Sequence, residues 1–368
     1  MEKGERPLEA MELREFYAGK KVFLTGHTGF KGAWLAWWLK ELGAEVTGYA
    51  LAPEDLRGNL FKLSGLGLAV RSVEGDICDL DALRQALDSA SPSVVLHLAA
   101  QPIVIRSYED PVQTYRSNVM GTVNLLEACR LSPDVRTVLV VTTDKCYENK
   151  EWAWPYRESD ELGGRDPYAS SKAMAELAVG AYRRSFLAGR GVGVATARAG
   201  NVVGGGDFAP YRIIPDIVDS IGRGRPVVLR NPDSVRPWQH VLDALHGYLL
   251  LAMRLGADPA GISGAYNFSP RAGSPEHTVL AITRKFIDII GKGSYEVDPA
   301  TRRGHEAAYL SLDPSKAAQV LGWEPRFSTG EALAATARWY QGHLQAPGQA
   351  QARTLQDIRD FMRGAGHA

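Results

Sequence analysis

Apolar, β-rich runs alternate with segments of helical periodicity through the first 200 residues of this chain. Alternation of this kind is the sequence form of repeated βαβ units, which fold into a parallel sheet covered by helices on both faces. The β-rich runs are residues 21–25, 45–51, 69–73, 94–98, 137–142 and 192–198. The sequence therefore predicts an α/β fold with a doubly wound parallel sheet of the Rossmann type.

The alternation weakens after about residue 200, where glycine and proline cluster, although helical patterns persist at residues 213–221 and 241–255 and a late strand is expected at 264–268. This change predicts a smaller C-terminal substrate domain interleaved with the end of the sheet. The expected division is a dinucleotide-binding domain at 20–200 with a strand near 236–270 returning to it, a substrate domain at 201–235 and 271–345, and a linker with a terminal helix at 346–368.

Charge and cysteine content narrow the class of protein. Lys and Arg number 42, as do Asp and Glu, so the balance does not favour nucleic acid or an anionic membrane as a partner. Three widely spaced cysteines argue against a disulfide framework and against a metal site. The first 20 residues lack the apolar core of a signal peptide, and no apolar segment is long enough for a membrane span. We expect a cytoplasmic protein.

A glycine-rich turn follows the first predicted strand and opens a helix. Its spacing is GxxGxxG, and glycines at such a turn let the backbone approach a pyrophosphate at the helix N-terminus. His27 and Lys31 lie inside the turn, as ligands of the pyrophosphate or ribose or else as solvated loop cations. The predicted cofactor-binding residues here are Gly26, His27, Thr28, Gly29, Phe30, Lys31 and Gly32.

The end of the second predicted strand leaves the choice between NAD and NADP open. Residues 48–53 carry no acid to hold the ribose hydroxyls, and Arg57, which could hold a 2′-phosphate, comes several residues later. Asp76, after the third run, could accept a hydrogen bond from the adenine amino group. A strand-end aspartate that caps its own turn is the alternative.

Tyr168 and Lys172 are four residues apart in a segment of helical periodicity, so their side chains are expected on one helix face. A nearby ammonium lowers the pKa of a phenol from about 10, which would make Tyr168 available as a base near neutral pH. Shortly before this pair, Thr143, Asp144 and Lys145 follow a strongly apolar run. An acid and a possible base beside a tyrosine–lysine pair predict proton transfer in addition to hydride chemistry.

Four segments in order resemble the extended short-chain dehydrogenase/reductases: GxxGxxG at 26–32, HLAA at 97–100, NVMGT at 118–122 and YxxxK at 168–172. Within that group the chain resembles the nucleotide-sugar 4,6-dehydratases, and most closely the branch that acts on CDP-glucose. The segments that carry this closer resemblance are GHTGFKG at 26–32, TTDK at 142–145, AGNVVGGGD at 199–207 and RPWQHV at 236–241. The similarity extends over about residues 20–340.

The resemblance implies a lyase of deoxysugar and polysaccharide biosynthesis that recycles NAD. Tyr168, supported by Lys172, takes the proton of the sugar 4-hydroxyl as hydride leaves C4. Asp144 and Lys145 then remove the C5 proton and protonate the departing 6-hydroxyl, and hydride returns to C6. Thr143 is expected to hydrogen-bond the 4-hydroxyl, although a strand-end threonine often bonds its own backbone.

Many such dehydratases carry Asp–Glu where this chain has Asp–Lys. The Asp–Lys pair raises the question of how its aspartate can be protonated. An aspartate must be protonated to act as an acid, whereas an adjacent cation drives its pKa lower. Neutral lysine plus neutral aspartic acid has the same proton count as the ion pair, and a dry site narrows the energy gap between the two forms. We therefore hypothesise that Lys145 accepts the C5 proton while Asp144 releases its own.

The resemblance also implies further contacts. Ile77 and Ala99, with Tyr168 and Lys172, join the cofactor-binding residues, and Asn201, Arg236, His240 and Tyr309 are candidates for the nucleotide sugar, with Arg302, Arg303 and His305 as further residues of that pocket. For His240 a packed histidine is the more ordinary role. Two helices, one holding Tyr168 and Lys172 and one at 111–130, are expected to form a homodimer interface, or else to pack within one subunit.

Three alternatives stay open at this point. The nucleobase is carried by the resemblance alone, so a 4,6-dehydratase of another nucleotide sugar is possible on the same residues. An epimerase or decarboxylase on this fold would need the tyrosine and lysine but has no use for the Asp–Lys pair. A dinucleotide sensor without chemistry would be expected to lose Tyr168, Lys172 or the glycine turn, all of which are intact.

Overall fold

The structure, a computed structural model, describes residues 5–54, 58–270, 278–298 and 309–364, with side chains from Leu8 onward. Its strands are β1 Lys21–Thr25, β2 Glu45–Ala50, β3 Arg71–Glu74, β4 Val94–His97, β5 Thr137–Val141, β6 Gly193–Ala199, β7 Asn201–Val203, β8 Val227–Leu229, β9 Trp238–His240, β10 Gly264–Phe268 and β11 Tyr295–Val297.

The α-helices are α1 Glu5–Tyr17, α2 Phe30–Glu41, α3 Leu60–Leu63, α4 Leu66–Ala69, α5 Leu80–Ala90, α6 Val104–Glu109, α7 Pro111–Tyr115, α8 Gly121–Leu131, α9 Pro167–Tyr182, α10 Ile213–Gly222, α11 Val241–Ala257, α12 Pro259–Ile262, α13 Val279–Ile290, α14 Ser315–Leu321, α15 Thr329–Gln345 and α16 Ala350–Arg363. A π-helical turn, Arg116–Met120, joins α7 to α8, so the helix expected at 111–130 is continuous with one wide turn inside it.

Seven strands form the main sheet, in the order β10-β6-β5-β4-β1-β2-β3. Every neighbouring pair is parallel. This arrangement confirms the predicted doubly wound sheet, and β10 is the late strand that returns to it. Two smaller parallel pairs, β8 with β11 and β7 with β9, lie outside the main sheet.

Alternate residues of the central strands point to opposite faces, and both faces are buried. On β1, Val22 and Leu24 join the larger core with α2 and α11, whereas Phe23 joins a second core with α5 and α8. On β5, Leu139 and Val140 divide between the same two cores. The continuous apolar character of these strands follows from this burial on two sides.

The structure differs from the sequence predictions in the short strands β7, β8 and β11, which were not predicted, and at the ends of the chain. The helix α1, which packs against α11 and α16, was not predicted, because charged and apolar residues are mixed along it. Most of the segment expected at 346–368 as a linker with a terminal helix is the helix α16, Ala350–Arg363, whose buried face lies against α2. The proposed division into two domains stays a prediction.

Two further observations concern the described residues. No helix among them combines the length and apolar character needed to cross a bilayer. Cys78, Cys129 and Cys146 are free thiols, the last two fully buried.

Candidate active site

A cavity of about 360 Å³ opens at the carboxyl ends of β4, β5 and β6. Lining residues follow directly on each of these strands: Leu98 after β4, Thr142 to Lys145 after β5, and Gly200 after β6. Ligands of open parallel sheets bind at this edge. The topology therefore brings Asp144 and Lys145 into one cavity with Tyr168 and Lys172 of α9.

The glycine turn is shaped by close contacts of backbone with backbone. Gly26 has a φ of 78°, and a Cβ there would lie 2.7 Å from the amide nitrogen of Ala99. A Cβ on Gly32 would lie 2.0 Å from the carbonyl oxygen of Gly26. Gly29, the N-cap of α2, provides no side-chain cap, and the first turn of the helix holds no acidic residue. The open amides and positive end of α2 suit a pyrophosphate.

His27 lies within the turn, but its imidazole is fully buried and contacts the sheet. The Nε2 atom is 2.7 Å from the hydroxyl of Ser72, and the ring packs edge-on against Phe61 and directly over Gly48. Burial lowers the pKa of His27 to about 4. The solvated loop cation considered as its alternative role is therefore wrong, since this histidine is neutral and buried at pH 7. Its contact with a cofactor stays a prediction.

Lys31 points into the cavity from the first turn of α2. Its ammonium lies 5.7 Å from the ring centre of Tyr248 and shares the cavity with Lys172 and Arg212. Burial, with the charges of Arg212 and Lys172, lowers the pKa of Lys31 to about 7, although Asp144 and Asp207 oppose the shift. Lys31 is therefore not a solvated loop cation, because its side chain shares the cavity with Lys172 and Arg212.

The remaining cofactor candidates lie along the neighbouring strand ends. Asp76 accepts a hydrogen bond from the Cys78 amide at 2.9 Å, which is the turn-capping role considered as its alternative. Ile77 is buried against Gly121 of α8. The amide of Ala99 donates to the Thr25 hydroxyl at 3.2 Å, which fixes the β4 edge beside the glycine turn.

Tyr168 and Lys172 lie in the first turns of α9, whose N-terminus Asp166 caps by accepting from the Ala169 amide at 2.8 Å. Both side chains are buried and line the cavity. The Lys172 ammonium donates to the Val141 carbonyl at 3.5 Å.

Burial raises the pKa of Tyr168 to about 12, with a hydrogen bond between Tyr168 and Thr143 and the charge of Arg212 acting in the opposite direction. The expected lowering of this pKa by Lys172 is therefore not met in the structure, because the loss of hydration outweighs it. Burial likewise lowers the pKa of Lys172 to about 8, opposed by the charge of Glu176.

Asp144 is the most enclosed charged group of the cavity, with a side chain 1% exposed. Its Oδ1 accepts from the Thr143 hydroxyl at 2.9 Å and lies 3.6 Å from the Lys145 ammonium. Its Oδ2 has no hydrogen-bond partner among the described residues and approaches Gly200. Lys145 is 26% exposed, so the pair consists of a buried carboxyl oxygen and a more accessible amine.

A buried ion pair supports this segment from behind. Glu176 of α9 accepts from the Thr142 hydroxyl at 2.5 Å and from the Arg198 guanidinium at 2.8 Å. Arg198 also donates to the Tyr147 hydroxyl at 2.8 Å. Thr142 and Tyr147 flank the Thr143–Cys146 turn on either side, so this pair fixes both ends of the segment that carries Asp144 and Lys145. Cys146, fully buried in it, has a raised pKa through burial, as expected of a structural thiol.

The predicted substrate contacts do not all reach the cavity. Asn201 and Arg236 line it. His240 does not: it is buried, caps α11 through its Nδ1 at 3.3 Å from the Leu242 amide, and packs against Phe327. The Tyr309 carbonyl accepts from Asn149 at 2.9 Å, and Tyr309 itself is not among the lining residues. Arg57, Arg302, Arg303 and His305 lie outside the described residues.

Two residues of the site had no assigned role in the sequence. Arg212 lines the cavity, and its guanidinium lies 2.9 Å from the buried Asp207 carboxylate. Asp207 closes the GGGD segment that carried part of the resemblance, and this position could have indicated it. Arg212 carries no motif signal, because only the tertiary fold brings residues after β7 over α9.

Comparison with known proteins agrees with this geometry. The family model described as GDP-mannose 4,6 dehydratase matches residues 23–336. A CDP-glucose 4,6-dehydratase from Salmonella typhimurium is 45% identical, the match covering 90% of this chain and 93% of the relative. A dTDP-glucose 4,6-dehydratase from Streptomyces antibioticus is 33% identical, covering 87% and 92%.

Solved structures show the same fold with NAD bound. The dTDP-glucose 4,6-dehydratase DesIV from Streptomyces venezuelae matches with a TM-score of 0.73 and 28% identity, covering 88% of this chain and 98% of that one. The UDP-glucose 4-epimerase from Thermus thermophilus in complex with NAD matches with a TM-score of 0.74 and 26% identity, covering 87% and 99%. On the family model and these identities together, the chain belongs to the GDP-mannose 4,6 dehydratase family of nucleotide-sugar enzymes.

Proposed function

We propose that this chain dehydrates CDP-D-glucose to CDP-4-keto-6-deoxy-D-glucose, with NAD as a tightly recycled cofactor. The observation that carries the proposal is the presence of Asp144 and Lys145 in the same cavity as Tyr168 and Lys172. The Salmonella typhimurium relative, a CDP-glucose 4,6-dehydratase, supports the choice of cytosine.

The chain is suited to hold the cofactor through the glycine turn and the open N-terminus of α2, with the Asp76–Ile77 turn and Ala99 at the neighbouring strand ends. Bound NAD would take a hydride from C4 of the sugar and return it at C6, so that it is regenerated in every cycle. NAD in the DesIV and Thermus thermophilus structures supports this cofactor.

Oxidation at C4 needs a base for the 4-hydroxyl proton, and Tyr168 takes that role. Burial makes its phenolate costly, so cationic neighbours are required to lower its pKa in the working site. Lys172 supplies an ammonium on the same helix face, and Thr143 hydrogen-bonds the phenol and the sugar hydroxyl. Arg212 adds a second positive charge within the cavity.

Elimination then removes a proton from C5 and expels the 6-hydroxyl. Lys145, as a neutral amine, takes the C5 proton and becomes an ammonium. Asp144 gives its proton to the 6-hydroxyl, which leaves as water, and becomes a carboxylate. The products are an ion pair of the two side chains, whose Nζ and Oδ1 atoms lie 3.6 Å apart in the structure. The unpartnered Oδ2 of the buried Asp144 is the oxygen available to carry the transferred proton.

The nucleotide diphosphate requires cations at the mouth of the cavity. Arg236 and Arg212 line it, and guanidinium groups bind phosphate oxygens through paired hydrogen bonds. Asn201 of β7 lines the same cavity and is paired in register with Trp238 of β9. These side chains bind the diphosphate. His240 supports them only through packing at the end of β9.

A panel of nucleotide sugars tests the proposal. CDP-glucose, UDP-glucose, dTDP-glucose and GDP-mannose are each incubated with the purified chain and NAD, and products are analysed by mass spectrometry. We expect a product lighter by one water and bearing a 4-keto group from CDP-glucose. Activity with another nucleobase alone would overturn the specificity, and a product of unchanged mass with inverted C4 would instead support an epimerase.

The chain acts as a homodimer through α7, α8 and α9. Large apolar side chains are exposed on α7, on the π-helical turn before α8 and on α9, which supports a covered surface: Val112, Met120, Met174 and Leu177. Sedimentation of a Val112→Arg, Met174→Arg double variant is expected to show a monomer. Leu68→Arg, at a residue 98% exposed elsewhere, is the matched control and should leave the dimer intact. A dimer of unchanged stability in the double variant would place the interface elsewhere.

A further inference from the structure

A second cavity, of about 790 Å³, lies on the outer side of β6, and it shares no lining residue with the active-site cavity. Its walls are α9, the strands β6 and β10, and α14. The Glu176–Arg198 pair forms part of its inner wall. The same pair holds Thr142 and Tyr147 of the active site, so the two cavities lie on opposite sides of one buried ion pair.

Two cations converge at the floor of this cavity. Gly264 of β10 has a φ of 146°, and a Cβ built there would lie 3.3 Å from Nη1 of Arg183 and 3.5 Å from Nζ of Lys316. Burial, with the charges of Arg198 and Arg183, lowers the pKa of Lys316, and the charge of Glu158 opposes the shift. The two cationic groups therefore approach the same point beside Gly264, where the absence of a side chain leaves room for them.

These cations retain hydrogen-bond donors that the described residues do not use. Lys316 donates to the Ala265 carbonyl at 2.8 Å, which occupies one of its three hydrogens. Arg183 has no side-chain hydrogen bond or ion pair with any described residue. Arg198 is 3% exposed, and its Nε hydrogen has no partner in the described part of the chain. A buried donor left unsatisfied is costly, and a ligand oxygen would satisfy it.

The acidic residues of the cavity wall have other hydrogen-bond or ion-pair partners, although the charge of Glu158 also acts on Lys316 and Arg198. Glu176 pairs with Arg198, and Asp313 lies 3.5 Å from Arg157. Glu158 accepts from the Asn267 amide at 2.8 Å. Neither Arg183 nor Lys316 therefore has a carboxylate within ion-pair distance among the described residues, and the cavity keeps an excess of positive charge.

We propose that this second cavity binds a phosphate group, as the free ion or as a small phosphate ester, between Arg183 and Lys316. A phosphate offers several acceptor oxygens and up to two negative charges, which suits a guanidinium and an ammonium on either side of one point. The cavity volume leaves room for the organic part of an ester. This site is separate from the diphosphate-binding cations of the active site, and the proposal does not depend on the reaction assigned above.

Calorimetric titration of the full chain with inorganic phosphate, and separately with glycerol 3-phosphate, tests the site. In an Arg183→Gln, Lys316→Gln double variant the affinity is expected to fall by about tenfold or more, since two charge-assisted contacts are lost. Lys292→Gln removes an exposed charge elsewhere and should leave the affinity unchanged. Binding of phosphate alone assigns the free ion, and binding of the ester assigns a phosphorylated metabolite.

A change of charge at one exposed position tests the site without disturbing the fold. Gln319 lines the same cavity from α14 and is exposed, so Gln319→Glu and Gln319→Lys are equally mild changes of opposite charge. We expect the first to weaken phosphate binding and the second to strengthen it, each by about threefold. Phosphate bound in the active-site cavity would not distinguish the two variants. Shifts in the same direction, or an unchanged affinity in the double variant, would overturn the proposal.

Discussion

On the cofactor side of the active site the shape is set by backbone atoms, whereas on the sugar side it is set by charged side chains. Gly26 and Gly32 pack within contact distance of main-chain atoms from the β4 end and from their own turn. Across the cavity, Asp144 and Lys145 come from the turn after β5, and Arg212 comes from a distant segment just before α10. The cofactor side therefore has no room for a Cβ at Gly26 or Gly32. On the sugar side, by contrast, side chains can be shortened without a steric clash.

This difference has a physical origin. A turn that fits a pyrophosphate needs close approach of amides, which side chains would prevent. Proton transfer needs groups of different proton affinity at fixed positions, which only side chains supply. We therefore expect substitutions on the sugar side to remove chemistry without loss of stability, and substitutions on the cofactor side to lower stability and cofactor affinity together.

The largest expected effect is on chemistry alone. Lys145→Ala should lower turnover by about 10²–10⁴-fold, the usual contribution of a general base, with an unchanged melting temperature. In deuterated water it should also stop deuterium from appearing at C5 while oxidation at C4 still reduces the cofactor, which absorbance follows. Lys150→Ala, an exposed lysine paired with Glu161 in the same segment, is the matched control. Normal C5 labelling in Lys145→Ala would contradict the role of Lys145.

The next largest effect is expected at the glycine turn on the cofactor side. Gly32→Ala places a methyl group 2.0 Å from the Gly26 carbonyl oxygen, so the turn must shift. We expect a loss of about 1–3 kcal/mol in the free energy of unfolding together with weaker NAD binding. Denaturant unfolding and cofactor titration measure the two quantities. Gly189→Ala, where an added Cβ meets nothing within 4 Å, should leave both unchanged. A stable Gly32→Ala protein with normal NAD affinity would show that the turn is not sterically closed.

Acid is expected to lower the free energy of unfolding, because two histidines on the cofactor side are buried. Burial lowers the pKa of His27 to about 4 and of His97 to about 3, from 6.5. Below about pH 6.5 these histidines bind protons in the unfolded chain but stay neutral in the folded chain. The free energy of unfolding therefore decreases as the pH falls below that value. Each histidine contributes a loss of about 1.4 kcal/mol per pH unit in that range. Unfolding between pH 7 and 5 measures it, and His97→Asn should flatten the dependence. A slope unaffected by this variant would exclude His97 as its source.

The smallest effect is a shift in a pH profile. Lys172 has a pKa lowered to about 8 by burial, so its ammonium is lost as pH rises above that value. Turnover should then fall on the alkaline side. Lys172→Arg keeps the positive charge at all accessible pH. We expect the alkaline limb to move upward by about one unit or more, at a reduced maximal rate. An unmoved limb would mean that another group sets it.

Much of the fold could be predicted from the sequence, but charge environments could not. Strand β10, Gly264–Phe268, was placed correctly by its apolar run, and the turn at Gly26 to Gly32 by its spacing. The pKa of Tyr168 was expected to be lowered by Lys172, yet burial raises it. The spacing of two residues along a helix predicts the distance between their side chains. It does not predict how much water burial removes from around them.

Local patterns in the sequence predicted most strands of the main sheet, the glycine turn, the Asp144–Lys145 pair and the Tyr168–Lys172 spacing. Packing of the folded chain placed His27 against the sheet, buried His240 outside the cavity lining, and brought Arg212 into one cavity with Tyr168. These outcomes depend on which distant segments meet. Burial and contact are properties of the packed chain, and no local pattern records them.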